Sequence, residues 1–280
     1  MEKLKVCIVG HGFVGKAVDY GFNDHTCEKT IIDPIYDENK SIETTSPIDA
    51  DITFICVPTP MADDGTVNTS IVEDSVNKLM TRRSGIIVIK STVTPDVIKR
   101  LSTHQIGKNR VCYNPEFLRE ASAKEDFVNP PMHIFGGNPT VTKNVEEIYK
   151  QHSLCKPCPI FHMEASDASF VKYGINSFLA TKVLFFNQFY DVVEKFGGNF
   201  GRIINAIGED PRIGQSHTRV PGHDGRRGFG GACFPKDTSA FIHFSGHNFS
   251  ILEKAIEENN KYRKDYEKCD REKAQNVSYE

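Results

Sequence analysis

The 280 residues carry 34 lysines and arginines against 37 aspartates and glutamates, a formal charge of −3, with 39% hydrophobic and 25% charged residues. Such a chain is long enough for two packed domains, and its charge gives no overall bias toward nucleic acid or anionic membranes. No apolar run reaches the ~20 residues of a membrane span, and Met1 to Lys5 leads straight into a strand pattern rather than a signal peptide, so a cytoplasmic protein is expected.

The first element is Leu4 to Val9, LKVCIV, an apolar run suited to a buried parallel strand, followed at once by GHGFVG and a helical stretch. Gly10 is expected to make the tight turn, Gly12 to let the backbone approach a pyrophosphate, and Gly15 to let the helix pack closely. Phe13 and Val14 complete this candidate cofactor loop. A second strand, Lys29 to Ile32, ends in Asp33, near the ~20-residue spacing of an acid that holds an adenosine ribose. Asp33 would repel a 2′-phosphate, and Pro34, Ile35 and Tyr36 offer no arginine to hold one, so NAD is favoured over NADP.

Further strands at 52–57, 86–90, 111–113 and 132–135 alternate with helical or loop segments. The alternation predicts an α/β, doubly wound, Rossmann-like parallel sheet over residues 1–162. Ligands of such sheets bind beyond the carboxyl ends of the strands, so the loops beginning at Gly10, Asp33, Val57, Ser91 and Asn114 should face one crevice. They carry Val57-Pro58-Thr59-Pro60, Lys90-Ser91-Thr92-Val93 and the run Asn114 to Glu120. The eight cysteines are scattered, with Cys7 and Cys56 inside strand patterns, and read as reduced thiols. His152, Cys155, Cys158 and His162 are zinc-ligand types, but Pro157 and Pro159 stiffen the segment, which reads as a connection between domains; no metal is assigned.

From Ala165 the pattern becomes helical, predicting an all-helical central and dimerisation domain over residues 163–280. Phe170, Tyr173, Ile175, Phe178, Leu179, Val183, Phe186 and Phe189 form a wide apolar face, and Lys172 and Asn176 stand at i,i+4. Residues 197 to 231 are rich in glycine and arginine (Arg202, Arg212, Arg219, Arg226, Arg227) and read as a loop over an anionic ligand. The run GFGGACFPKD, residues 228 to 237, then sets Cys233 where a loop meets a helix N-terminus. Unpaired backbone N–H groups, the helix dipole and the Lys236 charge all favour a thiolate there. The charged segment from Glu253 to Glu280 has helical spacing, and its final residues are expected to fray.

Together, the glycines at 10, 12 and 15, Asp33, the polar strand ends, Lys172 with Asn176, and GFGGACFPKD resemble the UDP-glucose/GDP-mannose dehydrogenase family along essentially the whole chain. These are NAD-dependent four-electron oxidoreductases of nucleotide sugars, and the GFGGACF form is most like the UDP-glucose-oxidising members. The resemblance implies that Cys233 captures an aldehyde as a thiohemiacetal that is oxidised to a thioester, with Lys172 and Asn176 stabilising oxyanions. It implies proton transfer through Glu120, Thr92 and a water ordered by Asp237, with Glu116 supporting the lysine. Val57, Pro58, Thr59, Thr92 and Glu120 would touch the cofactor. Phe117, Leu118, Gly230 and Gly231 would touch a UDP-sugar, and Arg212 would reach the partner's substrate across a homodimer built on the central helix.

Members of the family continue into a second Rossmann-like domain that this sequence is expected to lack. The loop Gln215 to Arg227, with His217, Arg219, His223, Arg226 and Arg227, also departs from their pattern, and its basic groups could hold a diphosphate. Three alternatives stay open: a non-catalytic or partner-dependent NAD-binding protein, a dehydrogenase for GDP-mannose or UDP-N-acetylmannosamine, and a two-electron β-hydroxyacid dehydrogenase.

Overall fold

The computed structural model describes residues 2–37, 40–45, 49–81, 85–104 and 109–280, with the Glu120 side chain outside that set. The chain divides into two compact units, Met1–Thr59 with Asn68–Lys172, and Pro60–Val67 with Tyr173–Glu280.

The first unit runs β1 (Leu4–Val9), α1 (Phe13–Gly21), β2 (Cys27–Ile32), β3 (Ile52–Ile55), α2 (Ser70–Met80), β4 (Ile86–Ile89), α3 (Pro95–Thr103) and β5 (Val111–Tyr113). After a 3-10 turn at Glu120–Ser122 come α4 (Ala123–Val128), β6 (His133–Gly137), α5 (Pro139–His152), β7 (Ile160–Met163) and the first two turns of α6 (Ala165–Lys195). The strands form one sheet in the order β2-β1-β3-β4-β5-β6-β7. Side chains alternate between its faces, as a strand's two-residue period requires. Val6, Ile8, Phe54, Val88 and Cys112 pack with Ala17, Phe127 and Val145 of α1, α4 and α5. Cys7, Val9, Ile55, Ile87, Ile89 and Val111 pack with Val76, Ile98 and Ala168 of α2, α3 and α6. Both faces are thus covered, which explains why the strands read as continuous apolar runs.

Strands β1 to β5 are mutually parallel, but β6 runs antiparallel to β5 and parallel to β7. The parallel sheet expected from the sequence is thus mixed at one pair, where the chain returns through the 3-10 turn and α4 to set β6 beside β5 in the opposite direction. Strand β7 was not expected at all: Pro157 and Pro159 argue against a ladder, yet β7 is an edge strand, where proline is tolerated, and the Pro159 carbonyl accepts from the His133 amide. The first unit also extends to Lys172, ten residues beyond the expected boundary at 162. Ala165 and Ala168 are buried in its core and the Ser169 hydroxyl donates to the Val93 carbonyl at 2.7 Å, so these turns belong with the sheet.

The second unit consists of the remainder of α6, α7 (Phe200–Gly208), α8 (Phe234–Phe244), α9 (Ser250–Arg263) and α10 (Asp270–Ala274). Pro60–Val67 joins it: Ser239 donates to the Gly65 carbonyl at 2.7 Å, and the Met61 amide to the Gln275 carbonyl at 2.9 Å. Phe186, Val193, Phe200 and Ile204 form one core cluster, and Ala180, Leu184, Phe229 and Ala255 another. Residues 197 to 231 are not simply a loop, since α7 lies within them, capped by the Asn199 side chain on the Arg202 amide at 3.0 Å. The final residues do not fray, for Val277 and Tyr279 are buried. Among the described residues no helix is long and apolar enough to cross a membrane.

Candidate functional site

In the first unit the glycine loop fits a dinucleotide. Gly10 has φ +88°, and a Cβ there would lie 2.7 Å from the Cys56 carbonyl oxygen and 2.9 Å from the Val57 amide nitrogen. The turn is therefore seated between the ends of β1 and β3, where the strand order reverses and such sheets bind ligands. A Cβ on Gly15 would stand 2.0 Å from the Gly10 carbonyl oxygen, so the first turn of α1 closes on the loop itself, while one on Gly12 would meet nothing within 4 Å. That open backbone at a helix N-terminus suits a pyrophosphate. Phe13 and Val14 open α1 and are half-buried. Asp33 is fixed by backbone donors: Oδ2 accepts from the His11 amide at 2.6 Å, and Oδ1 from Ile35 and Tyr36 at 2.8 and 3.2 Å. A carboxylate has about four acceptor positions, so ribose hydroxyls can add to these three.

The other strand ends are tied to one another. Ser91 donates to the Val57 carbonyl at 2.7 Å, linking the loops after β3 and β4. Thr59 is buried, Thr92 half-buried and Pro58 exposed. The Lys90 ammonium reaches Asn114 Oδ1 at 2.9 Å, which also accepts from the Tyr149 hydroxyl at 2.8 Å, so a buried amine braces the end of β5. Burial pushes the Lys90 amine below its ordinary range. Lys172 is 3% and Glu116 8% exposed; the ammonium donates to the Glu116 carbonyl at 2.6 Å and lies 3.3 Å from its Oε1. Oε2 of the same carboxylate accepts from the Leu118 amide at 2.7 Å, and the ammonium sits 5.4 Å from the Phe117 ring centre. Lys172, Glu116, Phe117 and Leu118 are thus one constellation. Glu120 lies in the 3-10 turn that follows, its side chain outside the described residues.

In the second unit Cys233 is the N-cap of α8, eleven residues long, with its side chain half-buried at the positive end of the helix dipole. Burial in the first unit pushes the thiols of Cys7, Cys56 and Cys112 up to about 12. Asn176 Nδ2 donates to Asp237 Oδ2 at 2.6 Å, and Lys236 Nζ lies 2.5 Å from Asp237 Oδ1, all three side chains being buried. Lys236 engages Asp237, as a buried carboxylate requires a compensating partner. An amide nitrogen has two hydrogens, so Asn176 can serve Asp237 and one further acceptor.

The loop leading to Cys233 is held by polar side chains that the sequence reading missed. Asn259 Oδ1 accepts from the Phe229 amide at 2.6 Å and its Nδ2 donates to the Phe229 carbonyl at 3.0 Å. Asn187 Oδ1 accepts from the Gly228 amide at 3.0 Å, and Arg263 donates to the Gly228 carbonyl at 2.8 Å. All three side chains are buried. A Cβ on Gly230 would fall 2.3 Å from the Arg263 guanidinium, so Gly230 is needed for that packing whatever it does for a ligand.

Two of the arginines expected over an anion are engaged by the protein instead. Arg227 binds Asn187 and Asp191 and stacks on Tyr190 and Tyr262, while Arg226 donates to the Glu267 carbonyl. Arg212 is 87% exposed along its side chain and makes a two-pronged pair with Asp210 at 2.6 and 3.0 Å. The histidines and cysteines from 152 to 162 are not gathered: His162 binds Glu146 and Thr142, and Cys155 donates to the Phe127 carbonyl. Among the described residues no three potential ligands are placed to hold a metal.

Residues 35–153 match the NAD binding domain of the UDP-glucose/GDP-mannose dehydrogenase family, and residues 166–261 match its central domain. The chain is 34% identical over 223 residues to the UDP-glucose 6-dehydrogenase YwqF of Bacillus subtilis, covering 75% of this chain and 49% of that protein. It is 32% identical over 232 residues to the UDP-glucose 6-dehydrogenase AglM of Haloferax volcanii, covering 76% and 53%. A UDP-glucose dehydrogenase structure from Pyrobaculum islandicum superposes with a TM-score of 0.79 at 28% identity, covering 93% of this chain and 68% of that one. The chain thus spans about half the length of the curated relatives it matches. With the cofactor loop, the Lys172 constellation and the Cys233 motif all in place within it, this chain belongs to the UDP-glucose/GDP-mannose dehydrogenase family.

Proposed function

We propose that the protein oxidises the C6 primary alcohol of a UDP-sugar, UDP-glucose foremost, to the carboxylic acid. The observation that carries this reading is Cys233 at the N-cap of α8, in the unit that also buries the Asn176–Asp237–Lys236 chain. NAD, held by the Gly10–Gly15 loop and Asp33 with Val57, Pro58, Thr59 and Thr92, supplies the hydride acceptor, two molecules being used per sugar.

The protein's own residues do the rest. Glu120 and Thr92, through a water ordered by Asp237, take the alcohol proton as the C–H hydride departs. The Cys233 sulfur adds to the aldehyde carbon, forming a C–S bond, and the aldehyde cannot escape. Loss of the second hydride from that carbon leaves a thioester, and water cleaves its C–S bond to give the acid and return the thiol. Lys172 and Asn176 donate to the oxygen that carries negative charge in each of these steps, and Glu116 holds the lysine in position. Phe117 and Leu118 hold the sugar through backbone groups, and Gly230 and Gly231 lie against it.

A homodimer on α6 belongs to the same reading. Phe178, Phe185 and Val192 follow one another at seven-residue spacing and are 67, 60 and 53% exposed, so one face of the helix carries an apolar stripe. Phe186, expected in that stripe, is instead buried against Phe200 and Ile204, and Leu179 and Phe189 are half-buried. Two-fold association would cover the stripe on both copies and let Arg212 serve the partner's substrate. Light scattering is expected to give about twice the 31.4 kDa chain mass; a fully active monomer would refute the dimer.

The reaction itself is tested by counting NADH per sugar over a panel of UDP-glucose, GDP-mannose and UDP-N-acetylmannosamine. Two NADH per UDP-glucose converted to acid are expected, with NADP at least ~10-fold slower. No turnover of any of them would identify the chain as a binding protein, and a single NADH per sugar would exclude the four-electron reaction.

A further inference from the structure

The segment after α9 closes on the cysteine loop. Glu272, in α10, is 2% exposed, and its Oε1 accepts from the Gly231 amide at 3.0 Å and from the Tyr279 hydroxyl at 2.5 Å. Its Oε2 accepts from the Cys269 amide at 2.8 Å, which starts α10. Gly231 lies two residues before Cys233 in the left-handed region, φ +78°, a conformation that costs energy for any residue with a Cβ and that a hydrogen bond to its amide helps to fix. Asn187, Asn259 and Arg263 hold Gly228 and Phe229, so Glu272 makes the last attachment of the loop before the thiol. The central-domain match ends at residue 261, so Glu272 and Tyr279 lie outside the matched residues.

We propose that Glu272 and Tyr279 form a latch on the Gly231 turn, and that they are positioning residues for Cys233. A buried carboxylate receiving three donors is a stiff anchor, because releasing any one donor would leave charge unsatisfied in the interior. Its acidity agrees with this: burial alone would raise the Glu272 carboxyl, but the Tyr279 hydroxyl and the Cys269 and Gly231 donors outweigh it and hold it below the usual carboxylate range. Tyr279, buried and donating to Glu272, is pushed well above the usual phenol range, so its hydroxyl remains a donor. A relaxed Gly231 turn would let the sulfur drift from the aldehyde carbon, and sub-ångström errors of that kind weaken covalent capture more than binding.

This inference rests on the dehydrogenase reading for its kinetic consequence but not for its structural one, so two measurements are needed. Hydrogen exchange of the peptide spanning residues 228–234 reads the latch without catalysis, with α9 as the internal reference. Tyr279→Phe is expected to speed exchange of that peptide about threefold and Glu272→Ala at least tenfold, with α9 unchanged. Glu272→Gln, which keeps a carbonyl acceptor for Gly231, is expected to stay within about threefold of the parent. Trapping released aldehyde with hydroxylamine reads the consequence: NADH per sugar should fall from two toward one in Glu272→Ala, with the rate of acid formation falling more than KM for UDP-glucose rises, and Glu272→Gln should restore most of it. If Glu272→Ala does not fold, Tyr279→Phe decides. Exchange at 228–234 equal to the parent in either substitution, or Glu272→Gln as impaired as Glu272→Ala, would overturn the latch. A parent protein that never forms two NADH would sink the dehydrogenase reading while leaving the exchange result to stand or fall alone.

Discussion

Replacing Cys233 by serine is expected to cut acid production at least ~1,000-fold while alcohol–aldehyde exchange survives. Serine keeps the shape of the N-cap and can even cap α8 better than cysteine, so the change should not disturb folding. What is lost is a sulfur nucleophile able to carry a stable adduct at neutral pH, since an unactivated hydroxyl is a far weaker nucleophile than a thiolate. The first hydride transfer needs no covalent bond to the protein, so mass spectrometry should find aldehyde, trapped as an oxime, and little acid. Acid formation at the parent rate in Cys233→Ser would remove the covalent mechanism altogether.

The second large effect is expected at Lys172, and there rate and stability should separate. Removing a preorganised oxyanion donor costs on the order of 100- to 1,000-fold in kcat. Lys172→Met also strips the ammonium from Glu116, a carboxylate only 8% exposed that also accepts from the Leu118 amide at 2.7 Å. Breaking a buried pair in this way typically destabilises by about 3–5 kcal/mol, or roughly 6–20 °C in melting temperature for a unit of this size. Adding Glu116→Gln removes the stranded charge. The double variant is therefore expected to regain most of the lost melting temperature and none of the lost kcat, by calorimetry and NADH assay on the same samples. Recovery of activity in the double variant would show that Lys172 only neutralises Glu116.

The sequence made some of this legible and hid the rest for physical reasons. Strands β1 to β5, the Gly10 turn and the long helix could be read because each advertises itself locally, through a continuous apolar run, a glycine triplet or a 3.6-residue period. Strand β7 was hidden because Pro157 and Pro159 just before it argue against a ladder, and the reversal of β6 because direction is not encoded in a strand's own residues. The polar side chains that hold the cysteine loop were hidden differently. Asn259 and Arg263 lie on a helix rich in charge, where polar residues ordinarily face water, and only the return of a loop some 30 residues distant in sequence buries them. Periodicity detects where apolar surface must be covered; it is blind to where backbone amides will need acceptors. The pairing of Lys236 with its neighbour Asp237 was hidden for a related reason, since adjacent residues do not usually face each other on a helix.

The attachment of Gly231 to Glu272 joins residues 41 positions apart, with the carboxylate on the later side. A ribosome adding 5–20 residues per second needs roughly 2–8 s to cover such an interval. For that time every nascent chain carries Cys233 in a turn not yet closed, and a product cut short anywhere before residue 272 never closes it. On the proposed reading of Cys233 as the nucleophile and Glu272 as its latch, a chain cut short before residue 272 would carry the thiol in an open turn and capture aldehyde poorly.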